Sequence, residues 1–269
     1  MYKTLLIFSL LFVSVQTFAL KPSKKYEAIP DTLKLPYEKN DLLTPDKVNL
    51  KSWTFLPAKE TDNHTTLVFA YADAGNMSWW LMHATILAQS GFTVVMFDYR
   101  GFGESDSFAI DTKMLYYNEF TTDLSTVIKF AKTKYPANKT GIISFSMGTI
   151  IATLATKYCQ PDFIIGEGYV TSPAKIKSYY AKKEKDIILP KGYDTYEKTL
   201  KDLKQPILIF SGKKDEVTTV AAVKKLKTTK PQITLIDFDG DHMQGFTVMA
   251  KDYPGSVYIE KIEHFLKIE

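Results

Sequence analysis

The hydrophobic positions of this chain fall into short runs separated by longer stretches with helical spacing. Val48 to Leu56 alternates apolar and polar residues, the pattern of a half-exposed strand. Apolar runs at Thr65 to Tyr71 (TTLVFAY), Phe92 to Phe97 (FTVVMF), Thr140 to Phe145, Phe163 to Val170, Pro206 to Ser211 and Ile233 to Phe238 predict buried strands. Between and after them, helical patterns cover Met77 to Ser90, closed by Gly91, and Glu119 to Lys134, with Phe120, Leu124, Val127, Ile128 and Ala131 on one face. Further helices are predicted at Met147 to Tyr158, Val217 to Thr228 and Ser256 to Lys267. Strands alternating with helices imply an α/β fold with a parallel sheet covered on both faces. Such sheets bind ligands at the carboxyl ends of their strands, so chemistry is sought just after each strand.

Two segments break this rhythm. Lys3, the apolar stretch Leu5 to Val15, and Gln16-Thr17-Phe18-Ala19 have the order of a secretory signal peptide, with cleavage expected after Ala19. That reading exports the protein to the periplasm or beyond; an uncleaved N-terminal membrane anchor is the alternative. Residues 20–32 are polar and are expected to be a flexible lead-in to a domain spanning 33–269. The second segment, Thr171 to Gln205, is longer than one crossover helix needs and is rich in Lys and Tyr. It is expected to be either a small lid, with peripheral membrane contact as one use, or a surface helix with a decorated loop.

Composition removes several functions. The chain has 269 residues, 45% of them hydrophobic, enough to bury the core of one α/β domain. Its net charge of +4 comes from scattered lysines without an aromatic-interleaved basic stripe, which argues against nucleic-acid binding. Cys159 is the single cysteine, so neither an intrachain disulfide nor a thiolate zinc cluster can form, and it is expected as a small buried residue. No phosphate loop, dinucleotide fingerprint or metal-ligand spacing implies a cofactor.

The strand ending at Phe145 runs directly into Ser146-Met147-Gly148 and a helix. A serine on such a sharp strand-to-helix turn is exposed above the sheet as a nucleophile. Its neighbours two positions away must be small, and they are Ser144 and Gly148, giving S-F-S-M-G where G-x-S-x-G is usual. A serine needs a base. Of four histidines, His64 precedes a strand at the wrong sheet edge, and His83 and His264 fall within helices, His83 expected on its helix's surface. His242 follows the last strand at the carboxyl edge and is the candidate base. Asp215, after the strand ending at Ser211, is the candidate acid, with Glu216 its nearest competitor. The chain order Ser146, Asp215, His242 is that of an α/β-hydrolase. The developing oxyanion needs N–H donors, assigned to the backbone of Met147 and of Asp73.

The loop Tyr71-Ala72-Asp73-Ala74-Gly75-Asn76-Met77-Ser78 resembles the H-G-N-A-G-N-x-S loop of the bem46-like branch of α/β-hydrolases. Asp98-Tyr99-Arg100-Gly101-Phe102-Gly103-Glu104-Ser105 resembles that branch's D-Y-R-G-x-G-x-S turn. Leu35-Pro36-Tyr37-Glu38, Thr44-Pro45-Asp46 and Val48-Asn49-Leu50 resemble its lead-in strands. The resemblance implies an eight-stranded, mostly parallel sheet, with Ser146, Asp215 and His242 in the triad positions. Tyr71-Ala72 replaces the branch's His-Gly, and Asp73 puts an acidic side chain where an anion would develop. Asp98 and Arg100 are expected to shape a turn rather than to catalyse. The expected function is hydrolysis of a small to medium acyl ester, without cofactor. The alternatives are a non-catalytic binding protein on this fold and a lipid acyl hydrolase at a membrane surface.

Overall fold

The computed structural model describes residues 19–32 and 36–268. Eight strands form the central sheet: β2 Glu38–Leu43, β3 Asn49–Phe55, β4 Thr65–Ala70, β6 Phe92–Phe97, β7 Lys139–Phe145, β8 Ile164–Glu167, β9 Ile207–Gly212 and β10 Ile233–Phe238. Their spatial order is β10-β9-β8-β7-β4-β6-β3-β2. The pairs β2/β3 and β3/β6 are antiparallel and the others parallel. This is the mostly parallel eight-stranded sheet that the resemblance implies. The strands β4, β6, β8 and β9 are buried along their whole length, as expected for runs covered on both faces.

The helices are α1 Leu81–Gln89, α2 Tyr117–Lys134, α3 Met147–Cys159, α4 Pro173–Ala181, α5 Thr195–Asp202, α6 Val220–Thr229, α7 Gly245–Val248 and α8 Ser256–Leu266. The first is shorter than its sequence pattern, because Met77–Trp80 winds as a 3₁₀ turn capped by the Asn76 side chain. The strand predicted to run to Val170 stops at Glu167, since Gly168 turns the chain at φ +61°. Residues 171–205 hold two helices. Helix α5 packs on α3 through the buried Tyr196, whose hydroxyl donates to the Val170 carbonyl. The stretch before α5 is tied to the loop before α2, where Ile188 N–H donates to Lys113 O and Leu115 N–H to Ile188 O.

The expected flexible lead-in is instead bound across the carboxyl edge of the sheet. Strand β1, Lys21–Pro22, pairs in parallel with β5, Ala74–Gly75. Lys21 N–H donates to Asp73 O, Ser23 N–H to Gly75 O, and Asn76 Nδ2 to the carbonyls of Ser23 and Lys25. The backbone of this polar segment finds its partners in a distant loop, and Leu20 is wholly buried there. The expected signal peptide lies outside the described residues apart from Ala19, which is buried and donates its N–H to Thr112 O. No helix among the described residues is long and apolar enough to cross a membrane.

Candidate active site

Ser146 stands between β7 and α3 with φ 48° and ψ −114°. A non-glycine residue is held there only when its surroundings over-determine it. Two contacts do so: Ser146 N–H donates to Glu167 O at 3.0 Å, and Ser146 O accepts from both the N–H and the hydroxyl of Thr149. Helix α3 then passes so close to β4 that a Cβ on Gly148 would lie 1.8 Å from Ala70 O. Only glycine fits. Ser144, where glycine is usual, is accommodated because its parallel partner is Gly166 and its hydroxyl donates to Ile165 O at 2.8 Å.

The loops after β9 and β10 bring the other two candidates to this serine. His242 Nε2 is 2.9 Å from Ser146 Oγ, and Nδ1 is 2.7 Å from Asp215 Oδ2. These partners assign the proton to Nδ1, leaving Nε2 to accept from the serine hydroxyl. Asp215 is buried and also accepts from the N–H groups of Val217 and Thr218 and from the Thr218 hydroxyl. Burial acts to raise its pKa, but the hydrogen bond and charge of His242 and the Thr218 donors outweigh it and hold the carboxyl below its ordinary value. Glu216, the competing acid, is exposed and pairs with Lys183.

Met147 and Asp73, the two assigned oxyanion donors, line one cavity with Ser146 and His242. Met147 opens α3, so its N–H has no partner within that helix. The cavity measures about 240 Å³ and is lined mostly by apolar side chains, among them Leu115, Ile150, Ile187 and Val217 and, from α4, Ile176 beside Tyr180. Helix α4, from the insertion at 171–205, thus contributes two residues to the cavity lining.

The departures in the oxyanion loop have local explanations. The Tyr71 hydroxyl donates to Asp98 Oδ1 at 3.1 Å, tying this loop to the DYRG turn. Asp98 also accepts from Met77 N–H at 2.7 Å and from the Tyr26 hydroxyl at 2.6 Å. Burial pushes its pKa up to about 6 in spite of these donors. Ala72 is outside the positive-φ region, so glycine's freedom is not required there. Arg100 is likewise structural: its guanidinium holds Asp123 and Asp46, and its N–H donates to Asp123 Oδ2.

Sequence reasoning missed Glu167. It ends β8, its carbonyl takes the Ser146 N–H, and its buried carboxylate accepts from Gly245 N–H at 2.5 Å, three residues beyond His242. Burial pushes its pKa up to about 7, with the Gly245 N–H and the facing Tyr258 hydroxyl acting in the opposite direction. The signal in the sequence was a lone acidic residue ending an apolar strand beside the nucleophile's own strand. His83, expected on a helix surface, is packed against Phe246 and Trp80, and burial lowers its pKa to about 4. His64 and His264 lie away from the site. Cys159 is half-buried at the end of α3, where burial raises its thiol to about 11. Among the described residues no cluster of three or more His, Cys, Asp or Glu could hold a metal ion.

Comparison with known proteins agrees with this architecture. Residues 66–185 match the family model described as serine aminopeptidase, S33. An uncharacterized protein YfhR of Escherichia coli O157:H7 is 25% identical over 241 residues, covering 85% of this chain and 80% of its own. Protein bem46 of Schizosaccharomyces pombe is 25% identical over 211 residues, covering 72% of this chain and 66% of its own. Among solved structures, the Pyrococcus furiosus esterase Pf2001 superposes with TM-score 0.70 at 20% identity, covering 94% of this chain and 98% of that one. A Xanthomonas campestris α/β serine hydrolase described as lacking a lid gives TM-score 0.61 at 18% identity, covering 86% and 94%.

Proposed function

We propose that this member of the α/β-hydrolase superfamily, akin to its bem46-like branch, is a serine hydrolase that cleaves carboxylic esters of small to medium acyl groups. The observation that carries the reading is the hydrogen-bonded line from Ser146 Oγ through His242 to Asp215, at 2.9 and 2.7 Å. Ser146 Oγ attacks the ester carbonyl as His242 Nε2 takes its proton. Asp215 holds the Nδ1–H tautomer and stabilises the imidazolium that forms. The oxyanion is received by the N–H groups of Met147 and Asp73. His242 then protonates the departing alkoxide, leaving an acyl group on Ser146. Water, deprotonated by His242, repeats the addition and releases the acid.

The cavity supports the acyl size. Its volume of about 240 Å³ lies below the roughly 300–1,000 Å³ of pockets for drug-sized ligands. Its apolar walls suit a short to medium hydrocarbon. The test is covalent: a fluorophosphonate esterifies an activated serine. The expected result is one adduct on the peptide carrying Ser146, absent from Asp215→Asn and His242→Ala at equal exposure. Labelling that is equal in all three proteins would contradict the reading.

A further inference from the structure

We propose that the cavity above Ser146 takes a substrate bearing an ammonium group, with the Asp73 carboxylate as its counter-ion and the rings of Tyr117 and Tyr180 as its aromatic walls. This rests on the hydrolase reading and narrows it to cationic esters. Among the described residues, Asp73 is the acidic residue of the cavity's lining, and neither Lys nor Arg is part of it. Its carboxylate meets its own backbone N–H and, among the described residues, no other residue's donor. Burial raises its pKa, and the fields of His242 and of Lys21 on the strap only partly offset that.

Asp73, which is half-buried, contrasts with the buried aspartates of the fold. Asp98 accepts from Tyr26, Tyr71 and Met77, Asp123 from three groups of Arg100, and Asp215 from His242, Val217 and Thr218. Those three carboxylates are satisfied as buried carboxylates ordinarily are. Asp73 has no such set of donors, and it lines the cavity that holds the nucleophile. The backbone of this residue is held in place. Its carbonyl accepts from Lys21 N–H at 2.9 Å, and the loop is pinned on one side by Tyr71 and Asp98 and on the other by β1 pairing with β5.

The aromatic side chains point the same way. Tyr117, buried and with a hydroxyl that makes no hydrogen bond, lines the cavity, as does Tyr180 from α4. Tyrosine faces attract ammonium groups, most strongly where water is excluded. A cation here also bears on catalysis. A bare carboxylate beside the developing oxyanion opposes the reaction, and a substrate ammonium offsets that repulsion in the transition state. By drawing off the carboxylate it also frees the Asp73 N–H for the oxyanion.

The test uses pairs of esters that differ only in charge. One pair carries it on the alcohol side, acetylcholine against 3,3-dimethylbutyl acetate. The other carries it on the acyl side, the p-nitrophenyl esters of 4-(trimethylammonio)butyrate and 5,5-dimethylhexanoate. The expected kcat/KM ratio of cationic to neutral ester is about tenfold or more in at least one pair. It falls to about one in Asp73→Asn and drops severalfold in Tyr180→Leu, a half-buried position on α4. A ratio near one in the natural protein, or a preference that survives both substitutions, overturns the proposal. Calorimetric binding of choline to Ser146→Ala, with and without Asp73→Asn, separates the two readings. Choline bound through Asp73 with no ester turned over sinks the hydrolase and keeps the cation site. Neutral esters turned over with no choline bound does the reverse.

Discussion

Replacing Glu167 by glutamine alters the pH dependence of stability in a direction set by its burial. The folded-state pKa is about 7 against an ordinary 4.5, so the neutral carboxyl is the form that the fold favours. The stability it contributes is fully present below about pH 4.5 and is lost as pH rises through about 7. A shift of that size corresponds to about 3 kcal/mol. Glutamine retains an oxygen to accept from Gly245 but cannot ionise, so the variant escapes this loss. Its amide N–H groups stand at the buried Oε2 position facing the Tyr258 hydroxyl, and whatever cost they add does not change with pH. The quantity to read is therefore the change in the stability difference between about pH 5 and about pH 8.5, expected at about 2–3 kcal/mol in favour of the variant. Asp98 and Asp123, both raised by burial to about 6, add a similar slope to both proteins and cancel in the comparison. Urea unfolding followed by circular dichroism is the assay, and the midpoints should diverge by about 1 M for an m-value of roughly 2–3 kcal/mol/M. Parallel midpoints at the two pH values, or a variant that loses ground as pH rises, would refute the argument.

Two other outcomes follow from the elbow and the site. Gly148→Ala drives a methyl group into Ala70 O, and its soluble yield and melting temperature should fall by an amount matching a loss above about 3 kcal/mol; unchanged melting would mean that α3 can shift at little cost. Asp215→Asn should lower kcat by about 10³–10⁴-fold with melting largely retained, whereas a drop of less than tenfold would put Glu216 forward as the acid.

The fold was legible because its central strands β4, β6, β8 and β9 are buried along their length and so appear as apolar runs. Ser146, Asp215 and His242 could be placed at one sheet edge from the sequence because each follows such a run within a few residues, and the structure brings their side chains together. The strap was not legible. Its partners, Asp73 and Gly75, lie about fifty residues away, and polar composition does not reveal a backbone that pairs with a distant loop. The roles of Tyr71 and Glu167 were hidden for the same reason: Tyr71 acts through Asp98, and Glu167 through Gly245. His83 is half-buried rather than on an open helix surface because the rings that pack on it come from Trp80 and from Phe246 in a later element, which its own helix pattern does not reveal.

The central claim, ester hydrolysis through Ser146, is tested most directly by p-nitrophenyl butyrate turnover in the natural protein beside Ser146→Ala. The account predicts measurable turnover that falls at least about a hundredfold in the variant, with both proteins melting alike. Equal rates in the two proteins, at background or above it, would contradict it.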